Sequence, residues 1–240
     1  KIMLPRIDIP TYDLVIPSTK EKVKFRPFLI KEEKILLMAN TGDEIEEKIE
    51  AVKQIIRNCI VQEIDVERLA TFDIEYIFIQ LRSKSVSNIL KLTYDHDECT
   101  AGDPIELPFE LDLETVKVEY LEGDSHSNRI ELTDSIGMMM RYPNFSTMDK
   151  LMKTENFEDI VEIISTCIEI IFDGDDVFNP SDHTNEEVMD FIESLTQDQF
   201  EKINEFFETM PQAVGAVKIK CPKCGFEKEM RVSGITDFFI

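Results

Sequence analysis

Glycine is scarce in this 240-residue chain, with eight in all, and histidine is scarcer, with three. The few glycines form no Gly-x-x-x-x-Gly-Lys-Ser/Thr phosphate cradle, no Gly-x-Gly-x-x-Gly turn and no Gly-x-Ser-x-Gly elbow. Three histidines, His96, His126 and His183, leave little scope for a Ser-His-Asp system. No stretch approaches the roughly eighteen consecutive apolar residues of a membrane helix. The opening Lys1-Ile2-Met3-Leu4-Pro5 has no apolar signal core, so no secretory signal is expected, and it reads as a start one residue after an initiator methionine. Basic residues are outnumbered, 26 against 49 acidic ones, for a net charge of −23. Such a surface repels nucleic-acid phosphates and anionic lipid head groups, so neither is expected as a partner. The five cysteines are odd in number and irregularly spaced. That excludes a disulfide scaffold and suits a reducing cytoplasm with free thiols or a metal site.

What is present is the composition of a globular protein, 42% apolar and 31% charged, long enough for one large or two small domains. Alternation in Tyr12–Pro17 and Lys22–Arg26 predicts a hairpin, held to short or edge strands by Pro5, Pro10, Pro17 and Pro27. Helices are predicted over 31–40, from about 45, and over 72–83. Thr41-Gly42-Asp43-Glu44 has the form of a capping box before the second of these. Ile45, Ile49, Val52, Ile56 and Cys59 recur at helical spacing along it. The third helix is apolar nearly all round, as a central element would be. From Asn88 the period switches towards two, giving strands at 89–94, 104–111 and 116–120, then a loop at 123–128. A second capping-box form stands at Ser146–Asp149. Phe157, Ile160, Val161, Ile164, Ile168 and Ile171 predict another helix, and Asp173–Thr184 an acidic, irregular loop. Two helices, 185–195 and 197–210, precede an alternating tail from Ala216; Thr196 caps the second with Gln199 three residues on, and Pro211 stops it.

Two short motifs carry recognisable chemistry. Cys221-Pro222-Lys223-Cys224-Gly225 is one half of a zinc ribbon, flanked by extended residues. Tetrahedral Zn²⁺ takes four donors, and a tight turn presents two of them. Gly225 permits the positive φ that lets backbone amides reach the thiolates. The rival, a redox dithiol, normally stands at a helix N-terminus after a strand, whereas a glycine and an alternating segment follow here. His96-Asp97-Glu98-Cys99 is a weaker second half in an acidic turn, where an ordinary surface histidine is the rival for His96 and a degenerate, metal-free ribbon the rival for the whole site. The expected ligands are His96, Cys99, Cys221 and Cys224, with Zn as a structural cofactor, since four protein ligands leave no open position for water. Cys59 and Cys167 lie on apolar helix faces and read as core. The loop Asp173–Asn179 lacks the EF-hand order and reads as solvated. Met138-Met139-Met140 reads as core, with a partner surface as the rival. Catalytic carboxylate pairs are uninformative in so acidic a chain, and no enzyme is expected.

One resemblance extends beyond these motifs. Leu4-Pro5 through Pro10-Thr11-Tyr12, the run Phe25-Arg26-Pro27-Phe28-Leu29-Ile30-Lys31-Glu32-Glu33 on to Ala39, and the run Phe72-Asp73-Ile74-Glu75-Tyr76 on to Val86 resemble the baseplate hub proteins of T4-type tailed bacteriophages. The resemblance implies a non-enzymatic hub subunit or assembly chaperone. It would bind other baseplate hub or tail proteins in the host cell cytoplasm during assembly, or remain in the virion tail baseplate. The alternative is a zinc-ribbon regulator that binds nucleic acid, for which Lys218, Lys220, Lys223, Lys228 and Arg231 give a local basic patch.

The expected architecture is α+β. An N-terminal hairpin and helices (1–87) pack with a helical region (128–215), and a zinc-ribbon-like β module joins residues 88–127 to 216–240.

Overall fold

The computed structural model describes residues 7–41, 45–120, 126–154 and 156–238. Strands Tyr12–Val15 (β1) and Lys22–Phe25 (β2) come first, followed by helices Ile30–Asn40 (α1), Ile45–Cys59 (α2) and Thr71–Ser85 (α3). Three strands follow: Ile89–His96 (β3), Ile105–Asp112 (β4) and Lys117–Glu119 (β5). The middle of the chain forms Arg129–Glu131 (β6), Ile136–Met140 (β7), Phe145–Lys153 (α4), Phe157–Thr166 (α5), Ile168–Asp173 (β8) and Asp176–Phe178 (β9). Helices Asn185–Glu193 (α6) and Gln197–Glu208 (α7) lead to Gln212–Lys220 (β10) and Glu227–Ser233 (β11). The class is α+β. The chain divides into two compact units, Lys1–Glu119 with Gln212–Ile240, and Tyr120–Pro211.

In the first unit, β1 and β2 pair antiparallel with Leu14 opposite Val23, and bury Leu14, Val23 and Phe25. Alternation in the sequence therefore becomes a one-sided apolar face. On α2, Ile49, Val52, Ile56 and Cys59 are buried as their spacing predicts, and Ile55 joins them. Of the capping box expected at 41–44, residues 42–44 lie outside the described residues, and Thr41 closes α1 with its hydroxyl donating to the Met38 carbonyl at 2.6 Å. α3 is central: Phe72, Ile74, Ile77, Phe78, Ile79 and Leu81 are all buried, and it packs against α2, β5 and β10. Its buried Asp73 accepts from the Ala70 amide and from both the amide and hydroxyl of Ser18, which ties the β1–β2 turn to the helix start. Strands β11, β10 and β5 form one sheet in that order, and β3 and β4 form a separate antiparallel pair.

A buried ion pair sits between β2 and α1. Glu32 is fully buried and accepts from the Arg26 guanidinium at 3.0 Å and from the Leu29 amide at 2.8 Å. Arg26 also donates to the Asn58 carbonyl at 2.9 Å. Both residues fall in the run Phe25–Ala39.

The second unit has a four-stranded antiparallel sheet, order β6-β7-β8-β9, together with α4 to α7. Met138 and Met140 are completely buried beside Val161, Ile164, Ile168, Ile192 and Ile203, so these two methionines are core, while Met139 on the other face of β7 is half-buried. Local structure differs from expectation at three points. The helix predicted through Ile171 stops at Thr166, where Ser165 and Thr166 turn their hydroxyls back onto the Glu162 and Ile163 carbonyls. Ile168 and Ile171 are in β8, because Ile168, Ile170 and Phe172 also satisfy a period of two in a β-branched run. Asp173–Thr184 is not wholly irregular: Gly174 at φ 59 turns the chain back into β9. Asn144, not Ser146, caps α4, accepting from the Thr147 amide. Thr196 and Gln199 form the capping box expected at the start of α7.

Candidate metal centre

The site is built from the ends of two hairpins. β3 and β4 pair from Ile89 opposite Asp112 to His96 opposite Ile105, so His96 closes the ladder and Cys99 lies in the turn beyond it. β10 and β11 pair from Val214 opposite Ser233 to Lys220 opposite Glu227, leaving Cys221 to Phe226 as the turn. In that turn the Cys221 amide donates to the Phe226 carbonyl at 2.7 Å and the Gly225 amide to the Cys221 carbonyl at 3.0 Å. Gly225 has φ 75, a value at which a Cβ would be strained. Leu107 and Ile219 pack with Cys99 and Cys221 into a small core shared by both hairpins, with Val217, Ile105 and Met230 at its edge. Gly215 permits this approach, since a Cβ there would lie 2.6 Å from Leu111 Cδ2.

This packing gathers four donors from two distant segments. One ligand atom from each of His96, Cys99, Cys221 and Cys224 lies within 4.8 Å of all the others, and His96 Nε2 is 3.3 Å from Cys224 Sγ. Tetrahedral Zn²⁺ bonds sulfur at about 2.3 Å and imidazole nitrogen at about 2.0 Å, which sets donor separations of roughly 3.5 to 3.8 Å. The cluster is therefore of a size to hold one such ion. His96, Cys99 and Cys221 are buried and Cys224 is half-buried.

Backbone and neighbouring charge prepare the sulfurs unequally. The Cys224 amide, with support from the Lys223 amide and from hydrogen bonds with the Cys224 and Cys99 thiols, holds the Cys221 thiol below its ordinary value. The Ala101 amide pulls Cys99 the same way, but desolvation and the sulfurs of Cys224 and Cys221 outweigh it and push that thiol up. Three sulfurs this close cannot all ionise cheaply without a cation among them. The imidazole orientation is set by stacking on Phe226, with centroids 4.5 Å apart and planes 16° apart, and Tyr94 stacks on the same ring at 6.3 Å. Sequence spacing did not single out Phe226 as a support, although its place directly after Gly225 is a usable signal.

The other expected positions are placed apart from this cluster. Cys59 and Cys167 are buried, and burial pushes each thiol up to about 11, as for inert core cysteines. His126 and His183 lie in the second unit. His126 is within 2.9 Å of the Thr209 hydroxyl, and burial lowers its pKa. Four of the five basic residues around the cysteine turn face an acidic or aromatic partner, and Lys223 is exposed in the turn itself. Lys220 pairs with Glu227 at 2.7 Å, Arg231 with Glu119 at 2.9 Å, and Lys218 stands opposite Glu229 in the ladder. Lys228 lies over the Tyr94 ring, 4.5 Å from its centre.

Two hairpins within an α+β protein bring four soft or borderline donors together in a ribbon-like arrangement that could hold a metal ion. The family-level identity comes from the whole chain: the model for the T4 bacteriophage base plate protein family matches residues 9–240, and the chain belongs to that family. No curated protein and no solved structure showed significant similarity to it.

Proposed function

We propose that this base plate protein is a non-enzymatic docking component of the baseplate hub, a hub subunit or an assembly chaperone, acting in the host cytoplasm while the tail is built. Zinc bound by His96, Cys99, Cys221 and Cys224 holds residues 88–127 and 216–240 together as one module. Protein partners are engaged through exposed helix faces of the regions 1–87 and 128–215.

The observation that carries this reading is the family match over residues 9–240, next to a donor cluster whose four positions are all protein. The exposed apolar face of α1 supports it further. Ile30 is 80% exposed, Leu37 62% and Met38 64%, within the run that resembles hub proteins. In the zinc-ribbon regulator reading the patch around the cysteine turn contacts phosphate. The pairing of Lys220 and Arg231 with glutamates, on a chain of net charge −23, opposes that reading.

Affinity capture of the tagged full-length chain from infected cells, followed by identification of what it holds, is the test. Recovery of baseplate or tail proteins is expected. Recovery of nucleic acid, lost as salt is raised, with no tail protein, would overturn the reading.

A further inference from the structure

The second unit contains a cavity of about 290 Å³ between the β8–β9 end of its sheet and α6. Its floor is Ile136, Ile171, Phe172, Val188 and Phe191. Phe178 stands at the mouth, 42% exposed, next to Val177 at 59%. β9 is the last strand of its sheet, so among the described residues its outer edge has no partner strand. An edge strand beside an apolar pocket can receive an extended segment: backbone pairing gives affinity and the pocket takes one side chain.

Charge around this mouth is predominantly acidic. Residues 173–187 carry Asp173, Asp175, Asp176, Asp182, Glu186 and Glu187, and no lysine or arginine occurs between Lys153 and Lys202. Asp173 and Asp176 stand directly opposite each other across β8 and β9, an arrangement that costs stability within the chain. The two-residue turn Gly174-Asp175 fixes them there. Among the described residues, the cation-capable neighbours are His183, 3.7 Å from Glu187, and Arg129, which lies over the Phe172 ring and is engaged by Glu131.

We infer that the β9 edge and this cavity are a docking site for an extended segment of a partner protein in which a large apolar residue is flanked by lysine or arginine. The inference rests on the reading of the chain as a docking protein and adds the surface and the partner's chemistry. The apolar residue fills the cavity, and the flanking cations relieve the repulsion between Asp173 and Asp176. A second copy of this chain, carrying the same −23, is the less favourable occupant. A small apolar ligand would leave the carboxylates unanswered.

The test titrates the full-length chain into a dye-labelled peptide, acetyl-Lys-Leu-Lys-Phe-Lys-Leu-amide, followed by fluorescence anisotropy. A control peptide has glutamate in place of each lysine. The lysine peptide is expected to bind and the glutamate peptide not. Phe178→Ser and the double change Asp173→Asn/Asp176→Asn are each expected to weaken binding about ten-fold. Thermal unfolding of each variant shows that the fold is kept, and the two variants alter different features of the site. Equal binding of both peptides, no binding of either, or unchanged affinity in both folded variants overturns the inference. So does self-association in sedimentation that Phe178→Ser abolishes, since that assigns the site to a second copy. In capture from infected cells, tail proteins recovered equally by wild type and the double variant refute this surface and leave the docking reading standing. Failure of the wild type to recover any tail protein refutes the docking reading itself.

Discussion

His96 Nε2 lies 3.3 Å from Cys224 Sγ although 128 positions separate the two residues in the chain. Bringing such distant residues together costs loop-closure entropy, and one weak contact does not offset it. The offset comes from two paired hairpins and their shared core around Leu107 and Ile219. A metal bound across the gap would bind only the folded arrangement tightly, so its binding free energy becomes folding free energy.

The Arg26–Glu32 pair places a fully buried carboxylate in the first unit. Burial alone raises the Glu32 carboxyl, but hydrogen bonds from Arg26 and the Leu29 amide, with the Arg26 charge and Lys31, bring it below its ordinary value of 4.5. Arg26→Ala leaves the buried carboxylate only the Leu29 amide and the exposed Lys31 as partners, and is expected to cost about 3 kcal/mol in chemical denaturation. Because the folded pKa is depressed, the carboxyl's contribution is complete above 4.5 and is lost as pH falls through the folded value. The wild type should therefore lose stability below pH 4.5 more steeply than Glu32→Gln. Parallel acid profiles for the two would contradict this.

Glu75 has the opposite sign. Desolvation on α3 pushes its carboxyl up to about 7, against the pull of the Ile235 amide. The folded state then holds a proton that the unfolded chain releases near 4.5, so this group costs stability as pH rises from 4.5 to about 7. Glu75→Gln should stabilise the protein at pH 8 by on the order of 2 kcal/mol, with the gain fading towards pH 4.5. Urea midpoints of the two proteins at both pH values decide it, and a gain independent of pH would refute the mechanism.

Gly215 lets β10 approach β4. With Leu111 Cδ2 only 2.6 Å from where a Cβ would stand, Gly215→Val is expected to destabilise by about 1–3 kcal/mol through overpacking. Leu111→Ala in the same chain should recover part of that loss, because it vacates the contested space. Additive losses in the double variant would show that the two side chains do not compete.

Local features were legible in the sequence. The cysteine turn announces itself by spacing and glycine, and α2 and α3 by their periodicity, because the causes lie within a few residues of one another. β8 was less legible, since Ile168 and Ile171 continue a helical step while Ile168, Ile170 and Phe172 keep a strand alternation, and only the sheet they join decides between them. The Arg26–Glu32 pair was invisible as a buried pair. Its residues look like ordinary surface charges until Asn58 and Leu29 close around them. The support that Phe226 gives His96 likewise exists only once the two hairpins meet.

The account is tested most directly by the metal content of the purified full-length chain, compared with Cys221→Ser and His96→Ala. About one zinc per chain is expected in the wild type, absent from Cys221→Ser and lost or sharply reduced in His96→Ala. A wild type without bound metal, or zinc retained undiminished by Cys221→Ser, would contradict the clasp. Zinc lost only from the cysteine variant would remove His96 from it.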